Sequence, residues 1–456
     1  MAKKFVSVNP ATEEIVGTYQ EYSDAKLKKI LEDSEKAYTN WKKTGFEERK
    51  KYFLEIAALL EKNKHKLGKI MTLEMGKTIV SAEAEVAKCA WVCRYYAQNA
   101  QDMLQQEMVK TEAKKSYIKY EPLGVVLAVM PWNFPFWQAF RAAVPAISAG
   151  NTVILKHASN VSGSALAIEK LFVDAGFPKG VFQTILISSQ KIAPVIENKP
   201  IAAVTLTGSE LAGASVASSG AKVIKKAVLE LGGSDPFIIL KDADLEKAAR
   251  VATDARLIVS GQSCIAAKRF IVEKAVYKKF LDLFLKNIRV KKIGDPLDLD
   301  TGVGPLSSKK ILDTIDGQVK KSVKMGAKIL TGGKRFGKKG FFYEPTVLTD
   351  VRPNMPVMNE ETFGPVAAVF VAKDYKQALE IANMTDFGLG SSVWTKDEKI
   401  AQYFIDNIEA GSVFVNEMVK SDPRLPFGGI KRSGYGRELS VYGIREFVNI
   451  KTIWIS

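Results

Sequence analysis

Apolar residues recur at three- and four-residue spacing through Ala37, Trp41, Tyr52, Leu54, Ala57, Leu60 and Leu67, and this period predicts helices over residues 24–110. The pattern then changes. Residues 118–128 are rich in strand formers, broken by Pro122-Leu123-Gly124. From Gly124 onward, short apolar runs alternate with helical stretches. Runs lie at 125–130, 152–156, 182–186, 203–207 and 226–230, with helices predicted over 164–175 and 211–218. A second series has runs at 237–240, 269–272, 365–370, 390–394 and 412–415, with helices over 245–260 and 276–287. Residues 444–455 close the chain as a last apolar, strand-like stretch. Runs apolar throughout belong to strands covered on both faces. The expected fold is therefore α/β, with parallel sheets wrapped by helices.

Composition narrows the class. The chain has 456 residues, 46% hydrophobic and 25% charged, which suits a globular protein of about three domains at ~150 residues each. No run approaches the ~20 apolar residues a membrane helix needs. The start, Met1-Ala2-Lys3-Lys4-Phe5, lacks the apolar core of an export signal, so a cytoplasmic location and no membrane partner are expected. Three cysteines and two histidines give neither a disulfide framework nor an ordinary zinc site, and no metal is expected. Cys89 and Cys93, four apart on a helical pattern, read as packing residues. The formal charge of +16 is spread along the chain. Pairs such as Lys320-Lys321 and Lys338-Lys339 read as solvated surface, and no nucleic-acid partner is expected. A positive field would still draw anionic substrates and phosphorylated cofactors to a cleft.

Against this background Cys264 stands out. It lies in the small-residue loop Val259-Ser260-Gly261-Gln262-Ser263-Cys264-Ile265, and Leu229-Glu230-Leu231-Gly232-Gly233 sets a carboxylate at a strand end before two glycines. A lone accessible thiol and a carboxylate suggest covalent catalysis with a general base. With only His65 and His157 present, a Cys-His or Ser-His-Asp device is nearly excluded. Thr207-Gly208-Ser209 follows a strand and opens a helix; that string reads as a phosphate-binding helix start or as an ordinary serine N-cap. The G-x-G-x-x-G fingerprint is absent there. Glu74-Met75-Gly76-Lys77-Thr78 ends like a P-loop but has Met71 where the first glycine belongs, so it is rejected. Met130-Pro131-Trp132-Asn133-Phe134-Pro135 ends a strand with an amide suited to an oxyanion. Trp137 and Arg141 then share a helix face, and Arg141 reads as a surface cation or a carboxylate clamp. Lys156 sits at a strand end, where open sheets bind ligands, and His157 beside it reads as packing or surface. Glu360-Glu361-Thr362-Phe363-Gly364-Pro365 is a solvated loop or a ribose site, and Leu425-Pro426-Phe427-Gly428-Gly429 a turn.

Six of these strings, in this order, resemble the aldehyde dehydrogenase superfamily: Pro131-Trp132-Asn133-Phe134-Pro135, Thr207-Gly208-Ser209, Leu229-Glu230-Leu231-Gly232-Gly233, Gly261-Gln262-Ser263-Cys264, Glu361-Thr362-Phe363-Gly364-Pro365 and Pro426-Phe427-Gly428-Gly429. The resemblance runs from Asn9-Pro10-Ala11-Thr12 to Arg445-Glu446-Phe447. It implies two Rossmann-like α/β domains and a small β oligomerisation arm. The cofactor domain would take residues 1–113 and 124–230, the catalytic domain 231–435, and the arm 114–123 and 436–456. It also implies that Cys264 attacks an aldehyde, that Asn133 and the Cys264 N–H hold the oxyanion, and that Glu230 activates water against the thioester. Glu230 argues against a CoA-acylating branch. A cofactor site of Trp132, Lys156, Ser159, Gly208, Ser209, Leu231, Glu361 and Phe363 is implied, with no metal. Ser159 stands where relatives that prefer NAD often carry a glutamate, so NADP is expected, with NAD as the alternative. Lys156-His157-Ala158-Ser159-Asn160 and Val419-Lys420-Ser421-Asp422-Pro423-Arg424 are most similar to the short microbial succinate-semialdehyde dehydrogenases. That group implies Arg141 and Ser421 as holders of a distal carboxylate, with Ser263 also at the substrate. Ile265 follows the thiol where some relatives carry a second cysteine, so no disulfide switch is available there. Homodimers or homotetramers are usual in the family. A dehydrogenase of another small aldehyde, lactaldehyde or glutarate semialdehyde, stays open, as does a non-catalytic structural or RNA-binding relative.

Overall fold

The computed structural model describes residues 3–456. Met1 and Ala2, the start of the segment read for an export signal, lie outside the described residues. The apolar runs after Gly124 form a six-stranded sheet ordered Gly434–Tyr435, Lys226–Glu230, Ile201–Thr207, Val125–Met130, Thr152–His157 and Phe182–Thr184. Its last five strands are parallel, and Gly434–Tyr435 joins antiparallel at one edge. Strands 125–130 and 152–157 are buried at every position because helices cover both faces. One face packs Ala128, Leu155, Phe140 and Phe172, and the other Leu127, Val129, Ile154 and Ile196.

The second series forms a seven-stranded sheet ordered Lys328–Thr331, Thr346–Thr349, Val366–Ala372, Arg269–Glu273, Pro236–Ile239, Ser391–Trp394 and Val413–Val415. All its neighbours pair parallel except the first two. A third sheet pairs Val448–Ile455 along the whole of Lys115–Pro122, with Glu107–Met108 on the far side. Ile450, Trp454 and Ile455 are exposed on it.

Several boundaries differ from the sequence reading. Glu107–Met108, expected with the cofactor domain, pairs with Lys115–Pro122 in the third sheet. Gly434–Tyr435, assigned to the catalytic domain, completes the first sheet by pairing with Glu230 and Leu229. Ser440–Arg445 is a helix, so the strand expected from 444 begins at Val448. The helix expected over 245–260 stops at Leu257, because Val259 and Ser260 take left-handed backbone angles, φ 51° and 54°. A hairpin of Lys4–Val8 and Ile15–Gln20 was not expected. Cys89 and Cys93 are fully buried in the helix Ile79–Met103. His157 is buried too: its Nε2–H donates to the Pro135 carbonyl at 2.8 Å, and Nδ1 accepts from the Ala158 N–H at 3.0 Å. No helix among the described residues is long and apolar enough to cross a membrane.

Candidate active site

The two large sheets meet with opposite ends. Asn133, Lys156, Ser209 and Glu230 lie at or just past the carboxyl ends of strands in the first sheet, the edge where open α/β sheets bind ligands. Gly233, Cys264 and Gly364 instead precede the strands Pro236–Ile239, Arg269–Glu273 and Val366–Ala372 of the second.

The loop bearing Cys264 is held from several sides. Val259, Ser260 and Gly261 form three consecutive left-handed residues, a sharp reversal. At Gly261 an added Cβ would strike the Gly364 carbonyl, so only glycine lets the two loops meet. The Arg256 guanidinium donates to the Gly261 carbonyl at 2.8 Å. Lys268, fully buried, donates to the carbonyls of Ser263 at 3.1 Å and Cys264 at 2.6 Å and faces Glu361 at 3.4 Å. Burial pushes the Cys264 thiol up to about 12, against the pull of Arg141 and Lys268. A nucleophilic role for this sulfur would require that its proton be removed.

Asn133 reaches this loop directly. Its Nδ2 donates to the Gln262 carbonyl at 3.0 Å, and its side chain is buried. The following helix, Pro135–Ser148, starts at a proline, as its fixed φ favours. Glu85 caps this helix, accepting from the N–H groups of Phe136 and Trp137 at 2.9 Å each. The buried ammonium of Lys77 neutralises Glu85 and lies 3.9 Å from the Phe134 ring centre. Lys77, rejected as a phosphate lysine, thus anchors the asparagine turn through Glu85.

Glu230 ends its strand with both carboxylate oxygens buried and without a hydrogen-bond partner. Burial first, then the neighbouring Glu438 carboxylate, holds its pKa well above the ordinary value, while Arg141 and Arg437 oppose. Glu438 forms a buried ion pair with Arg141. Arg141 is therefore no surface cation. Its guanidinium lies 4.6 Å from the Phe427 ring centre and already has a carboxylate partner.

A cavity of about 200 Å³ brings Arg141, Ser263, Cys264 and Ser421 together with Lys88, Trp137 and Phe427. That volume lies below the ~300 Å³ of the smallest drug-sized sites and suits a few-carbon substrate. The Ser263 hydroxyl is buried without a partner. The Ser421 hydroxyl accepts from Lys88 at 2.7 Å.

The remaining candidate residues lie outside that cavity. Trp132 and Phe363 meet edge to face at 5.6 Å. Glu361 accepts from the Gly233 N–H at 3.2 Å, and a Cβ at Gly232 would meet its Oε2 at 2.6 Å. Ser209 caps the helix Glu210–Lys222 by accepting from the Ala212 N–H at 3.4 Å, the plainer of its two readings. Gly213 packs directly on Leu231, where a Cβ would stand 2.6 Å from the leucine side chain. Gly208 makes the turn between strand and cap. Lys156 is buried, and burial alone lowers its pKa with no carboxylate offsetting it. Ser159 is exposed at the start of the turn Ser159–Val161. A buried cation lacking an anion beside an exposed hydroxyl fits a phosphorylated ribose.

Sequence reasoning missed Lys88, Arg256, Lys268 and Glu438. A signal existed for two of them. Lys268 abuts the fully buried strand Arg269–Glu273, where a solvated charge has no room. Ser81, Ala84, Glu85 and Lys88 fall at helical spacing on one face, which the cavity exposes.

Residues 1–453 match the aldehyde dehydrogenase family. A probable NADP(+) succinate-semialdehyde dehydrogenase of Synechocystis sp. is 50% identical over 450 residues, 99% of each chain. An NADP(+) succinate-semialdehyde dehydrogenase of Mycobacterium tuberculosis is 49% identical over 453 residues, again 99% of each. The crystal structure of succinic semialdehyde dehydrogenase from Streptococcus pyogenes in complex with NADP+ superposes with a TM-score of 0.97 at 38% identity, covering 99% of each chain.

Proposed function

The chain belongs to the aldehyde dehydrogenase family, and we propose that it oxidises succinic semialdehyde to succinate with NADP. The observation that carries this reading is the single small cavity joining the Cys264 thiol to Arg141 and Ser421. An aldehyde at the sulfur would keep a distal carboxylate in the cavity that the Arg141 guanidinium and the Ser421 hydroxyl also line.

Bound NADP would supply the hydride acceptor, held by Lys156 and Ser159 at the ribose phosphate, Glu361 at a ribose, and Trp132, Gly208, Ser209, Leu231 and Phe363 along the rest of the cofactor. As the Cys264 thiol gives up its proton to solvent, Sγ bonds to the aldehyde carbon and the C=O electron pair moves to oxygen, forming a thiohemiacetal. Asn133 Nδ2 and the Cys264 N–H stabilise its oxyanion, which raises the rate because these donors are fixed in advance. Once the carbon has given up its hydride, Cys264 holds it as a thioester. Glu230 takes a proton from water, the water oxygen bonds to the thioester carbon, and the C–S bond breaks to release the acid. Ser263 contacts the substrate beside the sulfur. We further assign the exposed arm sheet to homodimer or homotetramer formation, and place the enzyme in the cytoplasm, where its three free thiols stay reduced.

The test is initial-rate kinetics with succinic semialdehyde, butanal and lactaldehyde, each with NADP and NAD. A clear advantage in kcat/KM for succinic semialdehyde with NADP is expected; equal efficiency with butanal overturns the substrate assignment. Ser159→Glu is expected to raise KM for NADP by about tenfold or more relative to NAD, since a carboxylate beside the 2′-phosphate replaces a donor with a like charge. An unchanged ratio of the two KM values removes Ser159 from cofactor choice.

A further inference from the structure

Seating a carboxylate calls for a cation whose charge is not already matched, and the cavity offers two cations of different standing. Arg141 is the matched one, since Glu438 is ion-paired with it inside the protein. Lys88 is the other. It rises from the helix Ile79–Met103, half-buried, and its ammonium lies 4.4 Å from the Trp137 ring centre. Its one hydrogen bond goes to Ser421 Oγ, at 2.7 Å. The nearby carboxylates are committed elsewhere. Glu85 is neutralised by Lys77 and accepts from two backbone N–H groups. Asp422 is held by Arg424 through two bonds of 2.8 and 2.6 Å.

The direction of the Lys88–Ser421 bond matters. An ammonium can only donate, so Ser421 accepts and keeps its own O–H hydrogen available. Two N–H groups of Lys88 and one O–H of Ser421 then remain for a carboxylate in the cavity. Burial, with Arg141 adding to it, lowers the Lys88 pKa to about 8. Glu85 and Asp422 pull the other way without restoring the ordinary value, and a carboxylate arriving in the cavity would add to their pull.

We propose that Lys88 seats the distal carboxylate of the substrate together with Ser421, and that its unmatched charge sets the preference for carboxylated over uncharged aldehydes. This rests on the substrate reading above and adds to it the residue that discriminates. Arg141, its charge balanced by Glu438, contributes N–H groups and shape to the same wall.

The experiment compares steady-state kinetics of the full-length enzyme and Lys88→Met with succinic semialdehyde and with butanal, which has the same carbon count and no carboxylate. Charge-assisted hydrogen bonds of this kind correspond to a change in KM for succinic semialdehyde of about ten- to hundredfold. The change for butanal is expected to stay within about threefold, with kcat affected less than KM for both. Lys88→Arg, which restores a cation, is expected to recover most of the discrimination. If Lys88→Met raises both KM values equally, Lys88 only packs the wall, and the proposal falls. If the wild type prefers succinic semialdehyde and Lys88→Met keeps that preference, Lys88 is wrong while the substrate reading stands. If the wild type shows no preference, the substrate reading fails and takes this inference with it. Should Lys88→Met not fold, Lys88→Gln is read by the same criteria.

Discussion

Cys264→Ala is expected to lower kcat for aldehyde oxidation by about four orders of magnitude or more, because every later bond change takes place on that sulfur. The other thiols cannot substitute. Cys89 and Cys93 are fully buried in a helix, and burial raises the pKa of both. Fold and cofactor affinity are expected to persist, since Lys268 holds the loop through backbone carbonyls and not through the sulfur. NADPH formation at 340 nm, circular dichroism and cofactor titration together check this. Residual oxidation above about one part in a hundred, with the fold intact, would falsify the nucleophile assignment.

Glu230→Gln is expected to reduce steady-state kcat by about 10²- to 10⁴-fold, the range over which a positioned general base contributes. The loss falls on thioester hydrolysis. A rapid burst of about one NADPH per active site is therefore expected to survive before turnover slows. The burial of Glu230 beside Glu438 also fixes the sign of a pH effect. Both act to raise its pKa, so the carboxyl ionises at a higher pH than an exposed glutamate does. Only the carboxylate can take a proton from water. The rate is thus expected to climb with pH along a limb lying above the ordinary glutamate range, about 4.3. Glu230→Gln should lack that limb. A normal steady state, or a limb that persists in the variant, removes Glu230 as the base.

Much of the candidate site was legible because it sits in local strings with strong backbone demands. Gly261 must be glycine where the thiol loop meets Gly364, and Pro135 starts the helix after Asn133. The parallel sheets were legible from runs such as Val125–Met130, apolar at every position because helices cover both faces. The errors fall where tertiary contacts override local pattern. Ile444 looks strand-like beside the apolar residues that follow, yet it is buried as part of a helix. Gly434–Tyr435 carries no strand signature and pairs because the edge of the first sheet is open at Glu230.

Arg141 shows the same division. Spacing placed it on the Trp137 face, but the carboxylate it meets comes from Glu438, almost three hundred residues on. Lys88 and Ser421, 333 positions apart, drew no attention as a pair. Sequence alone determined the fold class and singled out the candidate nucleophile, base and oxyanion amide, because each is written in a short segment whose glycines, prolines and apolar runs admit few backbone paths. The tertiary structure alone decided which charges are matched and which are free. That depends on distances between segments remote in the chain, and on burial, which makes an unpaired ammonium or carboxyl costly enough to shape what binds.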